Sequence, residues 1–292
     1  MAMSVAEEII LCVGYAIIFI ANIVGNLLVC IVVLKTKYLQ NFTSILIVNM
    51  AVGDLIVGAS GVIHIVLEVW FLVSGNNKNT VFCGRLNGIT FFSASISIYT
   101  MAVLAYDRYL SIVKPVIRRG TLTKGKLKII LPAIWILSLV FLGASIYFID
   151  IYDFKNHTLI CWETLPQDEL PVSYRIIVFV AMYLIPMCIT MYFFVKIFIH
   201  LWWIRNPPIS RAASQVLLKS RKHLTKLLGS VILLFNICWL PWFVVELLLS
   251  FDSRLERHEV LQSALALLAV AHSSSNPFIY SFQSQNFREH IR

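Results

Sequence analysis

Residues 83–109 read CGRLNGITFFSASISIYTMAVLAYDRY, an apolar run that opens on Cys83 and closes on Asp107, Arg108 and Tyr109. Arg108 follows Cys83 by 25 positions. At about 1.5 Å per residue, a helix of that length covers roughly 37 Å, close to a bilayer with its interfaces. One helix therefore joins a cysteine at one membrane face to an arginine at the other. Apolar stretches of similar length lie near 9–34, 43–73, 81–113, 129–149, 174–203, 222–249 and 260–281, each long enough to span hydrocarbon. Of 292 residues, 59% are hydrophobic and 13% charged, with mean hydropathy +0.82, a balance that excludes a soluble globular domain. The expected fold is all-α, a seven-transmembrane helix bundle forming one domain over 1–292, with a short leading segment at 1–8. The first apolar run is too long for a cleavable signal and lacks a basic flank, so it reads as a membrane anchor.

Charge sets the orientation. One side carries 18 Lys and Arg against 2 acids, net +16, and the other carries 6 against 12, net −6. By the positive-inside rule the basic side is cytoplasmic, which places the amino end outside the cell and the carboxyl end inside. The overall charge of +9 is a topology signal, and it gives no support to a nucleic-acid partner.

Polar residues are costly inside a membrane and are expected to satisfy one another. Asn26, Asp54, Ser97 and Asn276 each fall at mid-depth of an apolar segment, so a shared cluster would accommodate all four. Of the six cysteines, Cys83 and Cys161 fall at the outer surface, where they form either a disulfide or two free thiols. Cys12, Cys30, Cys188 and Cys238 sit in apolar segments and read as buried small hydrophobes.

The third segment's Asp107-Arg108-Tyr109 ending and its spacing from Cys83 resemble rhodopsin-like (class A) G-protein-coupled receptors. Further matches follow in order: Trp135, Pro186, the run Phe235, Cys238, Trp239 and Pro241, and the run Asn276, Pro277 and Tyr280. The last two resemble the family's CWxP and NPxxY motifs, and the likeness covers nearly the whole chain. The resemblance implies a Cys83–Cys161 disulfide over the bundle mouth. It also implies a water-filled pocket at Asp54 and Ser97, with Asn26 and position 272 beside it, that takes an allosteric sodium ion and no other cofactor. It implies, too, an activation switch through Trp239, Pro241 and the trio Pro186, Ile98 and Phe235. Through that switch helix six swings outward and frees Arg108 for a heterotrimeric G protein.

Three positions depart from the family pattern. His272, one turn before Asn276, stands where the family has Asn, and it reads as a core histidine satisfied by hydrogen bonds or as a pH sensor. Arg221 lies 18 residues before Trp239, five helical turns away on the same face, where many relatives carry an acid that pairs with the triplet arginine. Two arginines would then face each other, weakening the inactive state, unless Arg221 turns to lipid headgroups. Phe194 replaces a common Tyr.

Covalent retinal needs a lysine in segment seven, and no lysine follows Lys226; amine receptors carry an Asp where this chain has Thr90. Glu246 lies seven residues past Trp239, nearly the same face and roughly 10 Å nearer the outside. Glu68 lies 14 residues past Asp54. Two carboxylates toward an acidic outer surface suit a cationic ligand, so Glu68, Thr90, Trp239, Trp242 and Glu246 are the binding candidates. The expected partner is a basic or C-terminally amidated neuropeptide, in keeping with the neuropeptide-receptor-like branch; ordinary solvated charge, with Glu246 paired to a neighbouring helix, is the plainer alternative. A lipid or other apolar agonist, and from another class a seven-helix transporter or channel, also stay open. No membrane-embedded catalytic pair marks an enzyme.

Asn156, His157 and Thr158 form a glycosylation sequon in the second outer loop. Asn41, Phe42 and Thr43 form another on the cytoplasmic side, where it stays bare. Residues 284–292, with Phe287 and Arg288, read as the start of an amphipathic helix on the membrane lipids. The expected location is the plasma membrane.

Overall fold

Backbone in hydrocarbon has no water to bond and closes its hydrogen bonds within helices. The computed structural model describes residues 5–36, 40–74, 80–117, 122–154, 172–203, 212–251 and 259–283. These form seven helical rods: α1 Val5–Lys35, α2 Phe42–Ser74, α3 Thr80–Ile112, α4 Leu127–Phe154, α5 within 172–202, α6 Ala212–Phe251 and α7 Glu259–Gln283. α6 starts ten residues before the apolar boundary at 222. Residues 212–221 mix polar and apolar side chains, and Ala, Gln, Leu, Lys and Arg among them are strong helix formers, so the helix outlasts its membrane span. α5 is α-helical over Val172–Val178, widens into a π-helix over Phe179–Leu184 and resumes as α-helix over Ile185–Trp202. The widening ends beside Pro186, whose ring nitrogen has no hydrogen to donate to the preceding turn. Tyr99 of α3 donates to the π-helical Ala181 carbonyl at 3.0 Å, which ties the irregular turn to the bundle.

α1 packs on α2, α2 on α3, α3 on both α4 and α5, α5 on α6 and α6 on α7, and α7 returns against α1 and α2. α3 crosses the middle: 67% of its span is buried inside the protein, against 22% for α4 at the edge. Apolar side chains such as Ile10, Ile17, Ile129, Leu233 and Leu248 point outward instead, the surface a lipid-facing bundle requires. Among the described helices six are apolar enough to cross a membrane by composition. α7 falls short because Gln262, Ser263, His272, Ser273, Ser274 and Asn276 are all turned into the bundle. Cys188 is a correction to the sequence reading: it is exposed on the lipid side of α5, and only Cys238 of the four apolar-segment cysteines is fully buried.

Small residues let the rods approach. A Cβ on Gly25 of α1 would come within 2.8 Å of the Pro277 ring in α7, and one on Gly61 of α2 would overlap the Phe19 ring in α1. Phe19 is only 5% exposed and has no room to retreat. Gly61→Ala is expected to destabilise the bundle by about 1–3 kcal/mol through overpacking, lowering the melting transition of the purified protein. Phe19→Val in the same chain should recover most of that loss, and an unshifted transition in the single variant would disprove the contact.

Candidate functional site

Four connected layers run along the bundle, from the end that carries Asp107-Arg108-Tyr109, the expected inner end, to the opposite one. At the inner end Asn41 caps α2, its Oδ1 accepting from the Ser44 amide at 3.0 Å. The cap fixes the first turn of α2 so that Thr43 Oγ1 donates to Asp107 Oδ2 at 2.8 Å and accepts from Arg108. Asp107 is fully buried, and Arg108 Nε stands 4.0 Å from its Oδ2. A hydroxyl that bridges a carboxylate and a guanidinium restrains both. Thr43 thus joins the Asp107-Arg108-Tyr109 site, although the sequence showed it only as the third residue of a sequon. The Tyr109 ring packs on Phe193 of α5 at 5.2 Å. Arg221 lies on α6, its carbonyl accepting from Thr225 Oγ1 of the same helix at 2.9 Å.

The polar core lies at mid-depth. Asn276 Nδ2 donates to Asp54 Oδ2 at 2.9 Å, and Asn26 Nδ2 donates to the Asn22 and Ser273 carbonyls, each at 3.0 Å. The structure therefore brings α1, α2 and α7 together around Asp54, which is 0% exposed. Ser97 of α3 also turns toward that carboxylate. Asp54 Oδ1, Ser97 Oγ and Asn276 Oδ1 remain buried without a hydrogen-bond partner. A carboxylate with a hydroxyl and an amide oxygen on neighbouring residues fits a hard cation, which prefers oxygen ligands. Asn22, fully buried with both side-chain polar atoms unpartnered, adjoins α2, its Oδ1 2.7 Å from a Cβ built on Gly58. It was missed because Asn26 took the motif position one turn away.

A ring stack connects the core to the outside. Phe235, 1% exposed, stacks on Trp239 at 6.1 Å and on Tyr183 at 6.2 Å, and receives His272 edge-on at 4.8 Å. His272 is 1% exposed with Nε2 unbonded, so packing against the Phe235 face holds the ring, where hydrogen bonds were expected to. Ile98 is fully buried in the same cluster as Phe235 and Trp239, and Pro186 is buried in α5. Pro241 lies inside α6 and Pro277 inside α7, each removing one helical hydrogen bond.

Above Trp239 is a cavity of about 80 Å³ lined by residues of α1, α2, α3, α6 and α7, among them Phe19, His64, Thr90, Phe91, Trp239, Trp242 and Gln262. Phe91 meets the edge of Trp242 at 4.9 Å and Trp239 at 6.1 Å. Thr90, Trp239 and Trp242 are thus brought to one wall. Glu246 is not on it: the residue is 9% exposed, and Gln262 Nε2, which does line the cavity, donates to Glu246 Oε1 at 3.4 Å. One turn further along α6, Ser250 Oγ donates to the Glu246 carbonyl at 2.6 Å and accepts from Arg175 Nη1 of α5 at 2.8 Å. Helical rotation correctly put Glu246 on Trp239's face, but α7 covers that face. Cys161, Asn156 and residues 284–292 lie outside the described residues, as do the side chains of Cys83, Glu68 and Tyr280.

The seven-rod bundle with this inner triplet, polar core and ring stack matches a family model. Residues 25–280 match the 7 transmembrane receptor (rhodopsin family), and the chain belongs to that family of G-protein-coupled receptors. It is a multi-pass membrane receptor and not an enzyme. Neuropeptide FF receptor 1 of Rattus norvegicus is 29% identical over 94% of this chain and 67% of its own length. The QRFP-like peptide receptor of Branchiostoma floridae is 26% identical over 99% and 78%, and neuropeptide Y receptor type 1 of Xenopus laevis 25% over 97% and 79%. Family membership sets aside the transporter or channel reading.

Proposed function

We propose that the chain is a plasma-membrane receptor for an extracellular neuropeptide that signals through heterotrimeric G proteins, with its amino end outside the cell. The observation that carries the reading is the cavity whose floor is Trp239 and whose wall holds Thr90, Phe91, Trp242 and Gln262. Its 80 Å³ admits one side-chain terminus rather than a folded ligand, which suits the end residue of an extended peptide anchored above. Gln262 lines the cavity and its amide donates to Glu246, so its side-chain oxygen would offer a basic or amidated terminus an acceptor backed by a carboxylate. The relatives are named as receptors of peptides, in agreement. Glu68 would add a second acid at the mouth, and a Cys83–Cys161 bridge with a glycan on Asn156 would shape the loop above.

In this reading an occupant presses on Trp239, the stacked Phe235 ring transmits the shift, and α6 rotates about Pro241. The Asp54–Asn276 pair links the same movement to α7 and to Tyr280, and Arg108 leaves Thr43 for the G protein. A bound sodium ion would be held by Asp54, Ser97 and Asn276 and would stabilise the resting arrangement as a counter-charge.

The test is a panel of basic and amidated peptides on cells expressing the chain, read as nucleotide exchange. A responding peptide should lose about tenfold or more in potency with Glu246→Gln or Trp242→Ala, as truncated anchors and unpaired buried charge do. The mostly apolar lining, with Phe19, Val57, Ile65 and Val270, favours a lipid or small apolar agonist as the second reading. It takes over if no peptide acts on surface-expressed receptor while an apolar ligand does.

A further inference from the structure

Between α5 and α6, on the lipid side of their inner halves, lies a groove of about 920 Å³ that serves no role in the pathway above. Its origin is local. Gly229 of α6 has no side chain, and Phe194 of α5 fills the space so closely that a Cβ on Gly229 would stand 2.8 Å from Phe194 Cζ. The two helices touch there, and further along Tyr183 of α5 donates to Asn236 of α6 at 2.6 Å, so the groove runs along their outer flank. The floor is apolar, with Met191, Phe198 and Leu233 beside Phe194, and Leu233 is 62% exposed. The rim toward the cytoplasmic end is basic. His223 and Lys226 line it, and Lys222 Nζ rests 5.2 Å over the ring of Trp202, another lining residue.

An apolar trough with cationic groups at one end has the charge pattern of a glycerophospholipid. A neutral sterol would leave the rim unanswered, and a soluble anion would leave the floor unanswered. The cytoplasmic leaflet is the one that holds anionic lipids, and the basic rim lies on the side of the chain with 18 of its 24 Lys and Arg. We infer that this groove binds an anionic phospholipid of the inner leaflet, its headgroup phosphate on Lys226, His223 and Lys222 and one acyl chain along Phe194, Phe198 and Leu233. An occupant seated there lies against the flank of α6, the helix whose outward swing activates the receptor, so inner-leaflet composition would bias signalling from outside the peptide site.

The experiment titrates the purified receptor with phosphatidylserine or phosphatidylcholine of equal chain length and counts bound lipid by native mass spectrometry. Phosphatidylserine should bind roughly fivefold more tightly, the preference that one or two basic contacts supply. Lys226→Gln with His223→Gln should erase that preference, and Ser230→Trp, which fills the groove, should expel both lipids. Lys126→Gln with Lys128→Gln, exposed basic residues that flank the first residue of α4, should leave it intact. Equal binding of the two lipids overturns the inference, as does a preference that survives both groove variants or that falls as far with the α4 pair.

Discussion

Replacing Thr43 with valine is expected to raise basal nucleotide exchange by about tenfold. Valine keeps the shape of the side chain and removes the one hydroxyl that donates to Asp107 and accepts from Arg108. Hydrogen bonds to charged groups contribute about 1.5–3 kcal/mol, and about 1.4 kcal/mol moves a two-state equilibrium tenfold. In the proposed switch the loss falls on the inactive state alone, because Arg108 would leave this partner on activation. Thr43→Ser should retain low basal activity, separating the hydroxyl from packing of the methyl group. Arg221 sharpens the test: many relatives carry an acid at that place on helix six that pairs with the triplet arginine, whereas here a hydroxyl of α2 accepts from Arg108. Arg221→Glu should add an acid facing Arg108, lower basal exchange and largely compensate Thr43→Val. Unchanged basal exchange in Thr43→Val would falsify the α2 restraint, and unchanged exchange in Arg221→Glu would remove Arg221 from the switch.

The second large effect is expected at Asp54. If the unfilled oxygens of Asp54, Ser97 and Asn276 hold a sodium ion, agonist affinity should fall about tenfold when sodium replaces a bulky organic cation, a coupling typical of linked sites. Asp54→Asn removes the only charge in the cluster and should abolish that dependence, leaving affinity at the sodium-free value in both buffers. Ser97→Ala should reduce it in part. His272→Asn restores the amide found in the family at that position and should strengthen it. A sodium effect that persists in Asp54→Asn places the ion elsewhere, and no effect in the unmutated protein means that the imidazole edge on Phe235 has displaced sodium coupling.

The motif residues were legible because each does its work through backbone chemistry or through a charge that hydrocarbon does not tolerate. Asp54 and Asn276 are separated by 222 positions and still meet at 2.9 Å, as the cost of isolated polar groups in a membrane led one to expect. Trp135 is similar: its Nε1 donates to Asn49 Oδ1 at 2.8 Å, and Asn49 Nδ2 donates onward to Thr100. The motif position was readable, its partners were not. Thr43 was invisible because a threonine at a helix start usually belongs to the cap, and only α3's approach makes it a bridge. Glu246 was read onto the correct face, yet a helical wheel does not say which neighbour covers that face.

Seven apolar spans, the charge asymmetry between their two ends and the order of the motifs were therefore determined by the sequence alone. Span length against bilayer thickness, the charge asymmetry and the lost hydrogen bond at each proline are properties of one segment at a time. Which hydroxyl restrains Arg108, which rings surround Phe235, and where a groove opens beside Gly229 were decided only by the tertiary structure. Those outcomes depend on how two or three helices approach each other, and the approach distances are set by packing between residues far apart in the chain.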